Sequence, residues 1–220
     1  MMATFDAVVV GAGYIGSAIS YYLSKAGLKT VLIDQGGLAA GASRANYGNI
    51  QVQDAELDHS VPMVLAGRVM FETLEEELGH NVGLRPLGSL LVAESEHQVI
   101  GLQARAARLS EFGIGVDWLT PQDLQRQEPH LDAGQTFGAL YSTHEMQLDP
   151  FKLVWSFVHR AREQGLHLRL DCPVRDFLVQ NGRVRGVITP EGKIESGVTI
   201  LATGAWSRVL GRKIGLDIPV

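Results

Sequence analysis

Three glycines near the N-terminus, spaced as G-x-G-x-x-G, constrain the fold more than any other feature of this sequence. They follow an apolar, β-branched run over residues 5–10 and open a stretch with helical spacing over residues 14–26. Gly11 permits a tight turn, Gly13 lets a ligand approach the backbone, and Gly16 lets the helix pack closely on the strand. The pattern therefore predicts a buried strand that leads directly into a helix.

A second apolar run, over residues 30–33, extends this pattern to a βαβ unit. The run follows Gly27, which ends the predicted helix as a C′ glycine, and it leads into Asp34. Strand, helix and strand at this spacing form a parallel pair joined by a right-handed crossover. The first part of the chain is therefore predicted to contain a parallel sheet.

Asp34 closes the second predicted strand, where a carboxylate accepts hydrogen bonds from ribose hydroxyl groups and repels a 2′-phosphate. The helix N-terminus contributes N–H groups and the positive end of its dipole, both of which favour phosphate oxygens. Together these features predict a site for the ADP half of a dinucleotide and disfavour NADP. The alternative is a glycine-rich turn and a surface acid in an unrelated α/β protein.

Helical and strand patterns alternate along the rest of the chain. Capping signals at Thr120-Pro121 and Asp149-Pro150 predict helix starts, and Asn181-Gly182 predicts a hairpin turn. We expect the first and last parts of the chain to share one sheet. Helices are predicted over residues 61–78, 99–112 and 149–165, and strands over residues 88–93, 174–179, 184–188 and 198–201.

Composition and charge disfavour several classes of function. The chain has 220 residues, is 45% hydrophobic and carries a net charge of −5 without a Lys/Arg block, so we expect no nucleic-acid partner. Glycines and polar residues interrupt the uncharged stretch over residues 7–24, so we expect no transmembrane segment. The single cysteine, Cys172, is expected in the core of a cytoplasmic protein. The histidines lack metal-ligand spacing, so no metal is expected; His144-Glu145 is interpreted as a solvated turn, with a position facing a cavity as the alternative.

The N-terminal sequence resembles that of a known enzyme family. DAVVVGAGYIGSAISYYLSKAGLKTVLID, residues 6–34, looks like the opening of the glycine/D-amino-acid oxidase (DAO) family of FAD-dependent oxidoreductases. Ser20 stands where that family often has alanine. The resemblance implies an α/β fold, with a Rossmann-like FAD-binding domain built on a parallel sheet (residues 1–79 and 146–220) and part of an α+β substrate domain (residues 80–145).

Shorter segments resemble further parts of this family and favour FAD over NAD. Residues 41–49, GASRANYGN, resemble the segment that runs from the pyrophosphate towards the flavin ring in relatives. Pro173-Val174 resembles the place where relatives contact adenine, and residues 200–207, ILATGAWS, resemble the segment that ends against the cofactor. Motif and resemblance together predict cofactor contacts at Gly11, Ala12, Gly13, Ile15, Gly16, Asp34, Gln35, Ser43, Arg44, Asn46, Gly48, Asn49, Val174, Ala202, Thr203, Gly204 and Trp206.

The family pattern is incomplete at the C-terminal end of the sequence. In the family, the region around Val220 leads into the second half of the substrate domain and a later glycine-rich flavin segment. In relatives, the groups that hold the substrate carboxylate lie largely in that half, so no catalytic residue is assigned. We expect a fragment, a split subunit or a decayed copy, and these alternatives stay open.

The resemblance implies an FAD-dependent oxidoreductase that oxidises an amino acid or a related secondary amine. Hydride transfer from a substrate C–H to flavin N5 gives an imine, which hydrolyses to an oxo acid and an amine or ammonia. Electrons then pass to oxygen or to another acceptor. A non-catalytic FAD-binding fragment or subunit, an FAD-dependent hydroxy-acid oxidase or dehydrogenase, and an NAD-dependent dehydrogenase stay open as alternatives. The expected partners are a small amino acid or amine, and either a second subunit or a missing C-terminal half.

Overall fold

The valine-rich run near the N-terminus forms a strand in the interior of a sheet, and its valines are buried. In the computed structural model, which describes residues 4–53 and 59–220, Val8 and Val9 have no solvent exposure. Such runs are typical of parallel strands that are covered on both faces. The strands are β1 (Thr4–Val10), β2 (Thr30–Ile33), β3 (Asn49–Ile50), β4 (Ser89–Ala93), β5 (Asp117–Leu119), β6 (Gly138–Ser142), β7 (Met146–Gln147), β8 (His167–Arg169), β9 (Asp176–Gln180), β10 (Arg183–Thr189) and β11 (Gly192–Leu201).

Side-chain caps fix the starts of two helices that the sequence predicts. Asp149 accepts the N–H groups of Phe151 at 2.9 Å and of Lys152 at 3.1 Å. Thr120 and Asp123 form a reciprocal capping box, in which each side chain accepts a backbone N–H from the other residue. Both predicted starts are therefore confirmed. The helices are α1 (Tyr14–Lys25), α2 (Val61–Leu78), α3 (Glu96–Glu111), α4 (Pro121–Gln127), α5 (Pro150–Glu163) and α6 (Ser207–Arg212).

The chain divides into two compact units, whose boundaries differ from those of the expected domains. The first unit comprises the described parts of Met1–Tyr47, Leu78–Val82 and Asp149–Val220, and the second those of Gly48–Glu77 and Gly83–Leu148. The described residues between 48 and 77 thus cluster with the second unit, whereas the domains implied by the resemblance group them with the first. The reason is packing, because Val52 and Val61 share a core with Leu109 and Ile114.

A six-stranded sheet in the order β8-β2-β1-β11-β10-β9 organises the first unit. β1 pairs in parallel with both β2 and β11, so the first and last parts of the chain share one sheet, as predicted. β9 and β10 form the predicted hairpin, and its turn residues Asn181 and Gly182 have φ angles of 51° and 72°. The carboxyl ends of β1, β2 and β11 consequently lie side by side at one edge.

Helix α1 buries a face of small and aromatic residues within the first unit. Ser17, Ser20 and Tyr21 are buried, and the ring of Tyr21 lies 5.7 Å from the ring of Phe157 on α5. The hydroxyl groups of Ser17 and Ser20 have no hydrogen-bond partner within residues 4–53 and 59–220. Burying such a hydroxyl carries a desolvation cost that an alanine would not.

The second unit contains two small antiparallel sheets. One has the strand order β4-β6-β5, and the other pairs β3 with β7. Buried residues of α4 and β6, Leu124 and Ala139, form a core with Ala133. Helices packed beside antiparallel strands give this unit the α+β character that the resemblance implies.

Several elements depart from the sequence-based expectations, and three of them illustrate the reasons. Helix α3 begins at Glu96 rather than at residue 99, because the Ser95 side chain caps it three residues earlier. Strand β11 begins at Gly192 rather than at residue 198, because it pairs with β10 along its first half. Strand β8, which pairs with β2, has no counterpart among the predicted strands, since its three residues show no distinct apolar pattern.

Among the helices of the described ranges, none combines the length and the apolar composition that a membrane crossing requires. The longest, α2, places charged residues along its second half and so cannot present a continuous apolar surface to lipid.

We expect the substitution Ser20→Ala to raise the free energy of unfolding by about 1 kcal/mol, because it removes a buried hydroxyl group without a partner. Chemical denaturation measures this difference. Ser110→Ala is the matched control, since Ser110 is an exposed helical serine and gains only the helix propensity of alanine, about 0.5 kcal/mol. An equal effect of the two substitutions would show that the Ser20 hydroxyl group is satisfied in solution.

Candidate cofactor-binding site

The first glycine of the motif lies where three strand ends meet. Gly11 has a φ angle of +107°, and its N–H donates to the carbonyl oxygen of Ile33 at 2.7 Å. The N–H of Ala202 donates to the carbonyl oxygen of Val10 at 2.8 Å. A Cβ atom at Gly11 would overlap the Ala202 carbonyl group. Only glycine combines this backbone conformation with so close an approach of β11.

The other two glycines bring helix α1 against the turn. A Cβ atom at Gly16 would overlap the carbonyl oxygen of Gly11, so the first turn of the helix rests on the backbone of the bend. At Gly13, the N-cap of α1, a Cβ atom would lie 2.7 Å from Ser43 Oγ. All three motif glycines therefore stand at points where a side chain would displace neighbouring atoms.

Helix α1 presents backbone donors at this turn. The first hydrogen bond inside the helix runs from the N–H of Ser17 to the carbonyl oxygen of Gly13, at 3.0 Å. The preceding N–H groups, those of Tyr14, Ile15 and Gly16, thus have no acceptor within the helix. Ser43 Oγ accepts the N–H of Tyr14 at 3.1 Å. Such a helix end attracts anions, and phosphate oxygens in particular.

Asp34 lies directly beside the glycine turn. One carboxylate oxygen accepts the N–H of Ala12 at 2.7 Å, and the other accepts the N–H of Gly36 at 2.8 Å. Each carboxylate oxygen has a second lone pair, so the group retains capacity to accept hydroxyl donors such as those of a ribose. Gln35 is exposed next to it. The predicted proximity of Asp34 to the bend is therefore observed.

A short 3₁₀ helix, Ala42–Ala45, places further predicted residues at the turn. Ser43 makes the contact with α1 described above, whereas Arg44 and Asn46 are exposed to solvent. The ring of Trp206 would lie 3.5 Å from a Cβ atom at Gly41. The loop that begins at Gly41 is thus in contact with the segment after β11.

The segment after β11 continues from the strand end into a second 3₁₀ helix, Gly204–Trp206. The Thr203 and Ser207 hydroxyl groups are 3.0 Å apart and form a hydrogen bond that holds this turn. Small residues at the strand end keep the backbone close to the Gly11 bend. Ala202, Thr203 and Gly204 are thus brought to the same edge of the sheet as the glycine motif.

Val174 follows a segment that runs alongside Asp34. The N–H of Cys172 donates to the carbonyl oxygen of Asp34 at 2.8 Å, and the N–H of Asp171 donates to that of Gly36 at 3.1 Å. Val174 itself is half-buried against the core of the first unit, and Cys172 is a buried, free cysteine of that core, as expected. The segment therefore runs beside the backbone of Asp34 and Gly36.

Two predicted residues, Gly48 and Asn49, lie in the second unit. Gly48 has a φ angle of +77°, and its carbonyl oxygen accepts the N–H of Leu148 at 2.9 Å. The Asn49 side-chain oxygen accepts from Gln147 Nε2 at 3.3 Å. Both residues are anchored by the β3–β7 pair, which no sequence pattern indicates because each strand has only two residues.

The interpretation of Glu145 as part of a solvated turn is wrong. Glu145 is 2% exposed, and its carboxylate accepts the N–H groups of Val52 and Gln53. The residues around Glu145 are largely polar and lie just before the start of α5, so the local sequence gives no sign that Glu145 is buried. The signal that would find it is a pairing partner for residues 48–53, and a single sequence does not supply one.

Tyr14, which follows Gly13, has a hydroxyl group whose surroundings disfavour ionisation. Burial of its phenol and the nearby Asp149 carboxylate both raise the pKa of Tyr14 above its usual value, because each disfavours the phenolate. Its hydroxyl group has no hydrogen-bond partner among the described residues.

No group of three His, Cys, Asp or Glu side chains within residues 4–53 and 59–220 is arranged to hold a metal ion.

The residues at the turn fit the ADP part of a dinucleotide in shape and in chemistry. Glycines leave no side chains in the bend, helix N–H groups suit phosphate oxygens, and the Asp34 carboxylate suits ribose hydroxyl groups. Ile15 is 67% exposed at the start of the helix, where it offers an apolar surface beside these polar groups. The set therefore matches what a diphosphate and its attached sugar require.

Comparisons of the sequence and of the structure with known proteins agree on one family. Residues 6–220 match the family described as "DAO: FAD dependent oxidoreductase". Sarcosine oxidase subunit beta of Rhodobacter capsulatus is 28% identical over 98% of this chain and 53% of its own length. The crystal structure of glycine oxidase from Geobacillus kaustophilus superposes with a TM-score of 0.92, at 27% identity, over 98% of this chain and 59% of that one.

A third relative differs in its stated role. The mitochondrial pyruvate dehydrogenase phosphatase regulatory subunit of Mus musculus is 28% identical over 95% of this chain and 24% of its own length. The chain thus spans between about a quarter and three fifths of the length of these relatives.

We expect Gly16→Ala to lower the free energy of unfolding by about 3 kcal/mol, because the new methyl group overlaps the backbone of Gly11. Gly37→Ala is the control in the same unit. A Cβ atom at Gly37 has no neighbour within 4 Å, so this change should stay within about 0.5 kcal/mol. Denaturant titration of both variants measures the difference. Equal stabilities would mean that the helix does not rest on the bend.

Proposed function

Because the chain belongs to the DAO family of FAD-dependent oxidoreductases, we propose that it binds FAD and takes part in oxidising an amino acid or a related secondary amine. The observation that carries the proposal is the contact between the Asp34 carboxylate and the N–H of Ala12, at 2.7 Å. This contact puts a ribose acceptor beside a glycine turn that has room for a diphosphate.

We assign roles in cofactor binding according to the chemistry of each group. The N–H groups at the start of α1 and the Ser43 hydroxyl group bind the pyrophosphate, and Asp34 binds the adenosine ribose. The backbone of Val174 lies against adenine. The remaining proposed contacts are Gly11, Ala12, Gly13, Ile15, Gly16, Gln35, Arg44, Asn46, Gly48, Asn49, Ala202, Thr203, Gly204 and Trp206.

Bound FAD supplies an acceptor for a hydride from the substrate C–H, and the oxidised amine then hydrolyses. The part of the chain described above orients the cofactor through its phosphates and sugar. It holds no assigned catalytic residue. Electrons pass finally to oxygen or to another acceptor.

The proposed partners are a small amino acid or amine and a further polypeptide. Relatives extend well beyond the matched region, and one of them is named a subunit. We therefore propose that turnover occurs in an assembly with a second subunit or a C-terminal half. A reducing, cytoplasmic location is proposed because the single cysteine is buried and free.

A second candidate function is FAD binding without turnover. The relative named as a regulatory subunit supports it, since this relative matches the same region of the chain as the sarcosine oxidase subunit. The two candidates share the cofactor and differ only in whether the bound flavin is reduced by an amine.

An absorption spectrum of the purified chain, reconstituted with FAD, tests both candidates. Retained flavin absorbance that bleaches anaerobically with glycine, sarcosine or proline supports the amine oxidoreductase. Bleaching by a 2-hydroxy acid alone would replace the amine with a hydroxy-acid substrate. Flavin that is retained but is bleached neither in the chain alone nor in its assembly with a second subunit or C-terminal half supports binding without turnover, and loss of flavin on gel filtration contradicts both candidates.

We expect Asp34→Asn to raise the dissociation constant for FAD roughly 10-fold, a loss of about 1.4 kcal/mol. An amide offers one acceptor oxygen where the carboxylate offers two, and its NH₂ group faces a backbone donor. Quenching of flavin fluorescence on binding gives the dissociation constant.

Asp117→Asn is the matched control for this change, because Asp117 is an exposed aspartate at the start of β5. Its dissociation constant for FAD should equal that of the unmodified chain. Unchanged affinity of the Asp34→Asn variant would remove Asp34 from the cofactor site.

A further inference from the structure

A buried polar pair lies inside the second unit, away from the glycine turn in sequence. Glu145 is 2% exposed and Gln53 is fully buried, although both residue types normally face water. A charged side chain remains buried only where donors compensate the loss of its hydration. The hydrogen-bond donors around the Glu145 carboxylate therefore indicate its structural role.

The Glu145 carboxylate binds two consecutive backbone amides. Its Oε1 atom accepts the N–H of Val52 at 3.0 Å and that of Gln53 at 2.8 Å. The β3–β7 ladder pairs Asn49 with Gln147 and Ile50 with Met146, and there it ends. Beyond the end of this ladder, the side chain of Glu145 takes over the hydrogen bonding of the same segment, at Val52 and Gln53.

The segment over residues 48–53 is held at both ends by these contacts. At its start, the carbonyl oxygen of Gly48 accepts the N–H of Leu148 at 2.9 Å. At its end, Arg105 Nη1 donates to the carbonyl oxygen of Gln53 at 3.0 Å, and Gln53 Nε2 donates to Ser89 Oγ at 2.6 Å. Four residues from separate parts of the second unit therefore determine where this short segment lies.

The two buried polar side chains are satisfied only in part by the residues that the structure describes. Glu145 Oε2 and Gln53 Oε1 are buried acceptors without a donor in the part of the chain that the structure describes, 4–53 and 59–220. A buried acceptor without a donor costs stability, but the other carboxylate oxygen of Glu145 satisfies two buried amide groups that an apolar side chain would leave without an acceptor. A role in fixing the backbone accounts for a charge at this place.

We propose that Glu145 is a positioning residue for the cofactor-binding segment that contains Gly48 and Asn49. Its carboxylate fixes the backbone of Val52 and Gln53 and so holds the preceding residues in the conformation that receives the flavin. This inference rests on the proposed function, because Gly48 and Asn49 are proposed cofactor contacts.

The test compares Glu145→Gln with Ser89→Ala in the purified, FAD-reconstituted chain. Glu145→Gln keeps the size of the side chain and removes its charge. Ser89→Ala removes the Gln53 side-chain hydrogen bond from the same buried cluster but leaves the two backbone contacts of Glu145 intact. Amide hydrogen exchange at Val52 and Gln53, and fluorescence titration with FAD, are measured for both.

We expect Glu145→Gln to accelerate exchange at Val52 and Gln53 about 10-fold and to raise the dissociation constant for FAD about 5-fold. Ser89→Ala should leave both quantities within about 2-fold of the unmodified chain. If Ser89→Ala weakened FAD binding as much as Glu145→Gln did, the cluster would serve only stability, and the inference would be overturned.

Two further outcomes separate this inference from the proposed function. Absence of FAD binding by the unmodified chain would overturn both, whereas equal affinity of the unmodified chain and Glu145→Gln would overturn the inference alone. If a variant does not fold, amide hydrogen exchange measured in the unmodified chain still tests the inference. Rapid, unprotected exchange at Val52 and Gln53 there contradicts the positioning role, and protection by at least 10-fold supports it.

Discussion

The close contact of the Gly11 backbone with the ends of β2 and β11 is the constraint on which the rest of the first unit depends. Gly11 donates to Ile33 and Ala202 donates to Val10, so three parallel strands end together around one residue without a side chain. Any larger residue would separate these strand ends. The helix that follows then starts at the edge where the strands stop, which places the N–H groups that lack an acceptor within the helix next to the loop that the Asp34 carboxylate binds at Ala12.

This geometry brings together hydrogen-bond donors and an acceptor, and a dinucleotide needs both because its phosphates and its ribose hydroxyl groups carry opposite polarity. Phosphates require positive potential, which the first turn of α1 supplies through its dipole, while ribose hydroxyl groups require an acceptor, which Asp34 supplies. The two groups do not neutralise each other, because Asp34 binds N–H groups of the loops at Ala12 and Gly36 rather than those of the first helical turn. The donors of Ile15 and Gly16 therefore stay outside its hydrogen bonds.

The sequence is sufficient to predict the βαβ unit because its signals are local. Glycine spacing, the β-branched run before it and the Asn181-Gly182 turn each act within a few residues of the chain. Glu145 could not be predicted, because its burial depends on Val52 and Gln53, which are about 90 residues away in sequence. The packing of Val52 and Val61 against Leu109 and Ile114 could not be predicted for the same reason, and the domain boundaries stay a prediction. The role of each candidate cofactor contact stays a prediction.

Three acidic residues solve the same problem of fixing irregular backbone next to regular structure. Asp34 binds the N–H groups of Ala12 and Gly36, Asp149 those of Phe151 and Lys152, and Glu145 those of Val52 and Gln53. In each case one carboxylate satisfies two donors that no strand or helix satisfies. Charge-assisted hydrogen bonds of this kind hold a bend more firmly than water would. Carboxylates therefore hold fixed backbone both at the glycine turn and in the segment over residues 48–53, each within its own unit.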